Sequence, residues 1–311
     1  MDSLPVDMSN PAVQEYLSLV RLQVLTPLSL LINIATVLVC TVIVKPSIGG
    51  ITDLYPTSIS PNPALIAVYV LAIYVGQVGY CVLLVLARKP ETKKAMVKAV
   101  GLSLVLANWF MALWAIAWVL QFFLVSTIFL GLILLLLIYS NIALLTYHPP
   151  SSDRPLDIAL VHAPLRLFLI LPLSLMFPYS LFITLGLSYA PDLPQDYTLH
   201  QWSGFGVSFG VNLLGLAVVI TRRDIVWAVA ATWICASIWS ARPKPAPVII
   251  VVILFTVLHP LGLLASMIYN RFYSKQHGRI ALPSDENENT QHEHGGERRG
   301  PREVDVEALW G

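Results

Sequence analysis

Hydrophobic residues gather along the chain into long runs that are separated by short polar segments. A helix needs about 20 predominantly apolar residues to cross the hydrocarbon core of a bilayer. Eight runs come near this length: Leu22–Val44, Ala64–Ala87, Met96–Val119, Phe122–Tyr147, Arg166–Leu187, Ser203–Ile220, Ile225–Ser240 and Ala246–Tyr269. The third and fourth runs are split only by Leu120 and Gln121, which predicts a tight helical hairpin. The pattern predicts an all-α, polytopic transmembrane helix bundle with eight spans.

Composition agrees with a membrane protein. The 311 residues are 56% hydrophobic and 12% charged, with a mean hydropathy of +0.72, whereas a soluble domain carries about 25% charged residues. The net charge of +1 gives no indication of a nucleic-acid partner. The three cysteines lie inside apolar runs, which is typical of buried small hydrophobic residues. The expected localisation is integral and multi-pass, with the bilayer as a partner and the compartment left open.

The distribution of Lys and Arg gives the bundle an orientation. With eight spans, both tails and the even-numbered loops share one side, which receives 16 of the 19 basic residues. The other side receives Lys45, Arg242 and Lys244. Because basic loops stay in the cytosol, both termini are expected to be cytosolic. Residues 1–21 then form a short N-tail, residues 22–270 the transmembrane domain, and residues 271–311 a polar C-tail that is expected to be disordered.

The predicted spans carry no Asp, Glu, Lys or Arg near their centres. Ionisable residues at such depth mark ion paths and proton relays, so their absence argues against an ion-coupled transporter or an intramembrane protease. The polar residues inside the spans are Asn33, Gln77, Asn108, Asn141, Asn212 and His259. An amide in a bundle usually bonds a neighbouring helix, and binding a ligand is the alternative.

Tryptophans are abundant, and two of the eight are paired on one helix face. Trp114 and Trp118 lie one turn apart on the third span. Helix packing and interface anchoring account for many such residues, but an aromatic-lined cavity between helices would also provide a flat apolar site. Elsewhere, Asp224 is placed to cap the N-terminus of the seventh span, and Arg222 and Arg223 beside it are expected to anchor at phosphates.

Several segments together resemble the tryptophan-rich sensory protein family (TspO/MBR, the translocator-protein family), in particular its longer, eight-span members. The resemblance rests on the proline-bearing first outer loop, the end of an aromatic helix motif, the paired tryptophans, the start of the fifth helix and the junction of the sixth and seventh. These are Ile51–Pro56 with Pro61 and Pro63, Ile73–Tyr74, Trp114 and Trp118 with Ser126, Leu160–Pro164, and Leu213–Leu216 followed by Arg222–Asp224 and Trp233. The pattern runs from about residue 20 to 270.

The resemblance implies the fold more strongly than the ligand. Short members of the family bind tetrapyrroles and, in animals, cholesterol, in a pocket among five helices. Three departures fall on that pocket: Val70 stands where the family has Trp, Met111 where it has Asn, and residues 168–171 where it has an aromatic run. Combined with the polar and aromatic residues above, the candidate ligand-binding residues are Tyr74, Gln77, Asn108, Trp114, Trp118, Asn141 and His162.

The leading functional hypothesis is a non-enzymatic protein with an aromatic-lined pocket for a flat hydrophobic ligand, such as a sterol, a tetrapyrrole or a lipid. The alternative is a transporter or flippase of an uncharged or lipidic substrate. A lipid-modifying enzyme would have to use His148, Asp153, Asp157 and His162, which share one inner loop but match no catalytic signature. A scaffold with a partner-binding tail is the remaining alternative. No catalytic residue, metal site or cofactor is predicted, and the oligomeric state is left open.

Overall fold

The computed structural model describes residues 11–87, 92–93, 96–147, 155–192 and 194–273. Helices and loops make up this part of the chain, and Thr57 and Ser188 form an isolated β-bridge between two loops. The helices are α1 (Pro11–Val42), α2 (Ile48–Leu54), α3 (Pro63–Leu86), α4 (Met96–Val119), α5 (Phe123–Tyr147), α6 (Pro155–Thr184), α7 (Gln201–Arg222), α8 (Ile225–Ser240) and α9 (Ala246–Tyr273). A short 3₁₀ turn, Pro194–Thr198, precedes α7.

Seven of the described helices are long and apolar enough to cross a membrane, namely α1, α3, α4, α5, α6, α7 and α9. The apolar helix α8 has 16 residues, which at 1.5 Å per residue gives a length of about 24 Å. The all-helical architecture is therefore confirmed, and the connection of α4 to α5 is the tight turn expected there. Gln121 makes that turn with a left-handed backbone, at φ 63°.

The helix bounds differ from the hydrophobic pattern in three places. Residues 11–21, expected in the N-tail, form the first turns of α1, which begins at Pro11; proline suits a first helical position because the amide there needs no partner. The fifth helix likewise begins at Pro155 rather than Arg166. The first outer loop, where no helix was predicted, contains α2. The expected disordered C-tail lies outside the described residues from 274 onward.

The described helices contain three π-helical turns: Met96–Val100 begins α4, and Ile158–His162 and Pro172–Met176 lie within α6. The second of the α6 turns begins at Pro172. A proline removes an intrahelical donor, which favours such a local change of hydrogen bonding.

The helices α4 and α6 form the centre of the bundle. About two thirds of the apolar window of each is buried, against 28–39% for the other candidate spans. The central stretch of α4 carries small side chains at Ala107, Ala112, Ala115 and Ala117, which allow neighbouring helices to approach closely. Helix α4 packs on α1 and α5, whereas α6 packs on α3, α5 and α8.

Contacts between loops fix the end of the bundle that carries α2. The Asn62 amide donates to the Ser237 carbonyl at 2.8 Å, and the Tyr189 amide donates to the Pro56 carbonyl at 3.0 Å. These bonds tie the loop after α2 to the end of α8 and to the loop after α6. They determine the height at which α3 begins, and α3 forms one side of the candidate site.

The chain divides into two compact units, Met1–Met267 and Ile268–Gly311. The helices described above belong to the first unit, apart from the last turns of α9. In the second unit, the described residues are those last turns of α9, up to residue 273.

Candidate functional site

A cavity of about 370 Å³ lies between α1, α3, α4 and α6, and α2 covers one end of it. Drug-sized ligands occupy pockets of roughly 300–1,000 Å³. Its inner wall consists of large side chains that are themselves well buried: Met111, Trp114, Trp118, Leu175, Met176 and Tyr179. The cavity is therefore large enough for a compact, largely apolar molecule.

The aromatic wall follows from the helical spacing of two tryptophans. Trp114 and Trp118 are one turn apart on α4, and their ring centroids lie 5.8 Å apart at an interplanar angle of 31°. The Trp118 ring also meets Tyr179 of α6, with centroids 5.5 Å apart. These separations fall in the range in which aromatic pairs are favourable. The rings form a rigid apolar surface suited to the face of a flat ligand.

The cavity offers few hydrogen-bonding groups and no charge. None of its lining residues is Asp, Glu, Lys, Arg or His. The Thr41 hydroxyl is already donated to the Val37 carbonyl at 2.7 Å, and the Trp118 indole N–H makes a long contact of 3.4 Å with the Ile48 carbonyl. In the described structure, the buried Trp114 indole nitrogen has no acceptor. An ionised ligand would have no compensating charge in this lining.

A chain of buried amides lies directly behind the cavity. Asn33 of α1 donates to the Asn108 side-chain carbonyl at 2.8 Å, and Asn108 donates to that of Gln77 at 2.8 Å. The Tyr74 hydroxyl, which lines the cavity, lies 3.4 Å from the Asn33 side-chain oxygen. The Gln77 amide nitrogen has no acceptor in the described structure. This network joins α1, α3 and α4 and holds Tyr74 at the cavity wall.

The cover over the cavity is held by hydrogen bonds from both ends of α2. The Ser47 hydroxyl caps α2 by accepting from the Gly50 amide at 3.1 Å. Beyond the helix, the Tyr55 hydroxyl donates to the Gln121 side chain at 2.8 Å, and Tyr179 donates to the Tyr55 carbonyl at 3.2 Å. Ile51, in the middle of α2, is completely buried. The α2 end of the cavity is therefore closed by ordered, bonded structure.

Lys244 adds a buried amine to the loops at the same end of the bundle. It lies between α8 and α9, is 6% exposed, and donates from Nζ to the Thr57 carbonyl at 3.1 Å. Burial lowers the pKa of this side chain to about 7, because the charged form loses its hydration. The contact ties the segment after α2 to the start of α9.

The structure places three of the seven candidate residues on the cavity: Tyr74, Trp114 and Trp118. Gln77 and Asn108 belong to the amide chain behind it. Asn141 and His162 do not line it. Asn141 of α5 donates to the Leu137 carbonyl at 2.8 Å and approaches the Leu165 carbonyl at 3.5 Å, and His162 is buried in the first π-turn of α6.

Other lining residues were not among the candidates. Val70 and Met111, two of the departures from the family pattern, both line the cavity. Ile48, Gly49 and Thr52 of α2 also line it. They were missed because α2 is only seven residues long and contains two glycines, so its sequence does not predict a helix. Tyr179 lies on α6, and only the fold brings it to Trp118. Within the described residues, no group of three or more His, Cys, Asp or Glu could hold a metal ion.

A second polar feature lies at the opposite end of the bundle, where α8 begins. The Asp224 carboxylate caps α8 by accepting from the Trp227 amide at 3.1 Å, which confirms the expected cap. It also pairs with Arg166 of α6 at 2.8 Å, with both side chains largely buried. This ion pair was not anticipated, because the two residues are 58 positions apart in the sequence. It fixes the start of α8 against α6.

The long apolar helices, the charge-free cavity and the buried amides define an integral, multi-pass membrane protein. The family model described as "TSPO-like protein" matches residues 23–267, and the chain belongs to that family. Comparison with curated proteins gave no match, and comparison with solved structures gave none either. The resemblance to this family that the sequence motifs indicated is therefore confirmed over residues 23–267.

Proposed function

We propose that this protein binds one uncharged, flat hydrophobic molecule, of the size of a sterol or an esterified tetrapyrrole, in the cavity beneath α2. The observation that carries the proposal is a cavity of about 370 Å³ with a buried aromatic inner wall and no charged lining residue. Membership of the TSPO-like family supports a membrane-embedded ligand site. The scarcity of candidate catalytic groups around the cavity favours binding over chemistry.

The proposed roles follow from position. Trp114 and Trp118 present ring faces to the ligand, and Tyr74 is a hydroxyl at the edge of the cavity that a ligand oxygen can bond. Gln77 and Asn108 support Tyr74 through the amide chain rather than by touching the ligand. Asn141 and His162 do not line the cavity, so their proposed contribution is to the packing of α5 and α6.

The proposal includes eight crossings with both termini in the cytosol. Two contacts support α8 as a crossing helix: its start is paired with Arg166, and the Ser237 carbonyl near its end accepts from Asn62 at the α2 end. Its length of about 24 Å is short for a core of about 30 Å, and local thinning of the bilayer accommodates such a mismatch at modest cost.

A titration with the fluorescent sterol dehydroergosterol in nanodiscs tests the binding proposal. The signal is energy transfer from tryptophan to the sterol. Met111→Phe extends a ring into the cavity and is expected to weaken binding about tenfold, corresponding to roughly 1.4 kcal/mol of steric conflict. Leu113→Phe, on the exposed face of the same helix, is the matched control. Equal affinities for the two variants and the wild type would refute the assignment of the site.

The charge of the ligand is tested with protoporphyrin and its dimethyl ester. The free acid carries two carboxylates and the ester carries none. Since the cavity lining holds no cation, the ester is expected to bind more tightly than the acid. Tighter binding of the acid would show that a charged ligand is accommodated and would contradict the proposed ligand class.

A further inference from the structure

One side of the cavity is not covered by protein. Its inner wall on α4 and α6 is buried, but Leu38 of α1 and Leu71 of α3 are each 60% exposed although both line the cavity. Thr41 on α1 and Ala67 on α3, beside them, are exposed lining residues as well. The cavity therefore opens between α1 and α3.

A crossing by α3, which is long and apolar enough to span the bilayer, would place the opening within the hydrocarbon core. Ala67 and Leu71 are four and eight residues beyond Pro63, which begins α3. At 1.5 Å per residue they lie about 6 and 12 Å from that end of the helix, within a hydrocarbon core of about 30 Å. The opening faces the acyl chains of the leaflet nearest α2.

The gap between α1 and α3 continues toward the opposite membrane face. A second, wholly apolar hollow of about 620 Å³ follows the same two helices, between Leu31 and Pro27 on one side and Val78 and Val85 on the other. Ile34 lines both hollows. Helix α1 packs more extensively on α4 than on α3, so its interface with α3 is the less closely packed of these two.

The alternative path through the α2 end is closed by the cover described above. Reaching the cavity from that side would require breaking the Tyr55–Gln121 and Tyr179–Tyr55 bonds and moving the fully buried Ile51. Reaching it between α1 and α3 requires only the displacement of lipid from apolar side chains. Among the described surroundings of the cavity, this is the side with the least protein to move.

We propose that the ligand enters the cavity laterally from the bilayer leaflet nearest α2, by passing between α1 and α3. This inference rests on the proposed function and narrows its ligand to an uncharged molecule that is already dissolved in the hydrocarbon region. The exposed residues Leu38, Thr41, Ala67 and Leu71 form the lateral opening. A charged or water-borne ligand would not use this path, because the opening offers no group that replaces its hydration.

The test measures how fast dehydroergosterol enters and leaves the full-length protein in nanodiscs. Ala67→Phe places a ring in the opening and adds no tryptophan to the energy-transfer signal. Val68→Phe, at the next position on α3, is the control, because Val68 is 52% exposed and does not line the cavity. Leu38→Phe obstructs the opening from the α1 side and serves as an independent second variant.

The expected result is that Ala67→Phe and Leu38→Phe slow both association and dissociation by about tenfold relative to Val68→Phe, since an obstructed path raises the barrier in both directions. Val68→Phe should match the wild type. Wild-type rates in both obstructing variants would overturn the lateral path while leaving the cavity intact as a binding site. Faster dissociation at unchanged association would also overturn it, because the added rings would then disturb the bound ligand without obstructing its path. Absence of binding by the wild type would refute the proposed function and, with it, this path.

Discussion

Replacing Asp224 by asparagine separates two contributions that this side chain makes to stability. Asparagine caps a helix about as well as aspartate, so the bond to the Trp227 amide is retained. The charge that pairs with Arg166 at 2.8 Å is lost. Arg166 then remains largely buried, with 12% of its side chain exposed, and loses the counter-charge of Asp224. Breaking a buried pair from one side costs about 3–5 kcal/mol, and the partial exposure of Arg166 favours the lower value.

The assay is thermal unfolding of the purified protein in detergent, followed by intrinsic tryptophan fluorescence. A loss of about 3 kcal/mol corresponds to a drop of roughly 6 °C in Tm, at about 2 °C per kcal/mol for a chain of this size. Arg222→Gln, at an exposed position next to the same turn, should leave Tm unchanged. The double variant Arg166→Met with Asp224→Asn should recover most of the loss, because no buried charge remains. A Tm for Asp224→Asn equal to that of Arg222→Gln would show that the ion pair between Arg166 and Asp224 does not stabilise the fold.

Three further predictions concern packing, the amide chain and pH. Gly76→Ala should lower the free energy of unfolding by about 1–3 kcal/mol, because the new Cβ would lie 2.8 Å from Pro164 Cγ. Gly210→Ala is the control and should leave stability unchanged, because no atom lies within 4 Å of its Cβ position. Equal values of Tm for the two variants would contradict the close packing of Gly76 on Pro164. Asn108→Leu should cost about 1–2 kcal/mol because the Asn33 side-chain N–H loses its acceptor and the Gln77 side-chain carbonyl loses its donor. A neutral result in the same unfolding assay would count against the network. Folding lowers the pKa of Lys244 from 10.5 to about 7, so the unfolded chain binds the proton more strongly than the folded one. The free energy of unfolding should therefore rise with pH between about pH 7 and 10.5, by at most about 1.4 kcal/mol per pH unit, and be flat below pH 7. Lys244→Met should remove that slope, and a slope unchanged in the variant would assign it to other groups.

The sequence pattern predicts the helices well where hydrophobicity is continuous and less well where it is not. The bounds of α8, Ile225–Ser240, agree with the predicted run because Asp224 and the charged turn before it mark the start clearly. The start of α1 is missed because residues 11–21 include several polar side chains. A prediction based on apolar runs cannot detect the part of a helix that continues past the run. Helix α2 is missed because its seven residues include two glycines.

The candidate site shows the same division. Trp114 and Trp118 can be identified from their spacing, because residues four apart share a helix face. Tyr179 and the α2 residues cannot, because only the packing of α6 and the folding of a loop bring them to the tryptophans. The pairing of Arg166 with Asp224 is likewise hidden from a single sequence, since residues 58 positions apart meet only through the tertiary structure.

The departures from the family pattern carry particular information. Val70 and Met111 line the cavity in place of a family Trp and Asn, which makes this lining more aliphatic and less polar. Residues 168–171, the third departure, are buried but do not line it. The ligand of this chain is therefore expected to rely less on hydrogen bonds to α3 and α4 than the ligands of members that keep those residues.

The proposed function requires that the cavity binds a single molecule. Native mass spectrometry of the detergent-purified wild type, Met111→Phe and Leu113→Phe tests this requirement. One hydrophobic molecule per chain should be retained by the wild type and by Leu113→Phe and be lost from Met111→Phe. Identical spectra for the three proteins, showing only bulk lipid in bulk proportions, would contradict it.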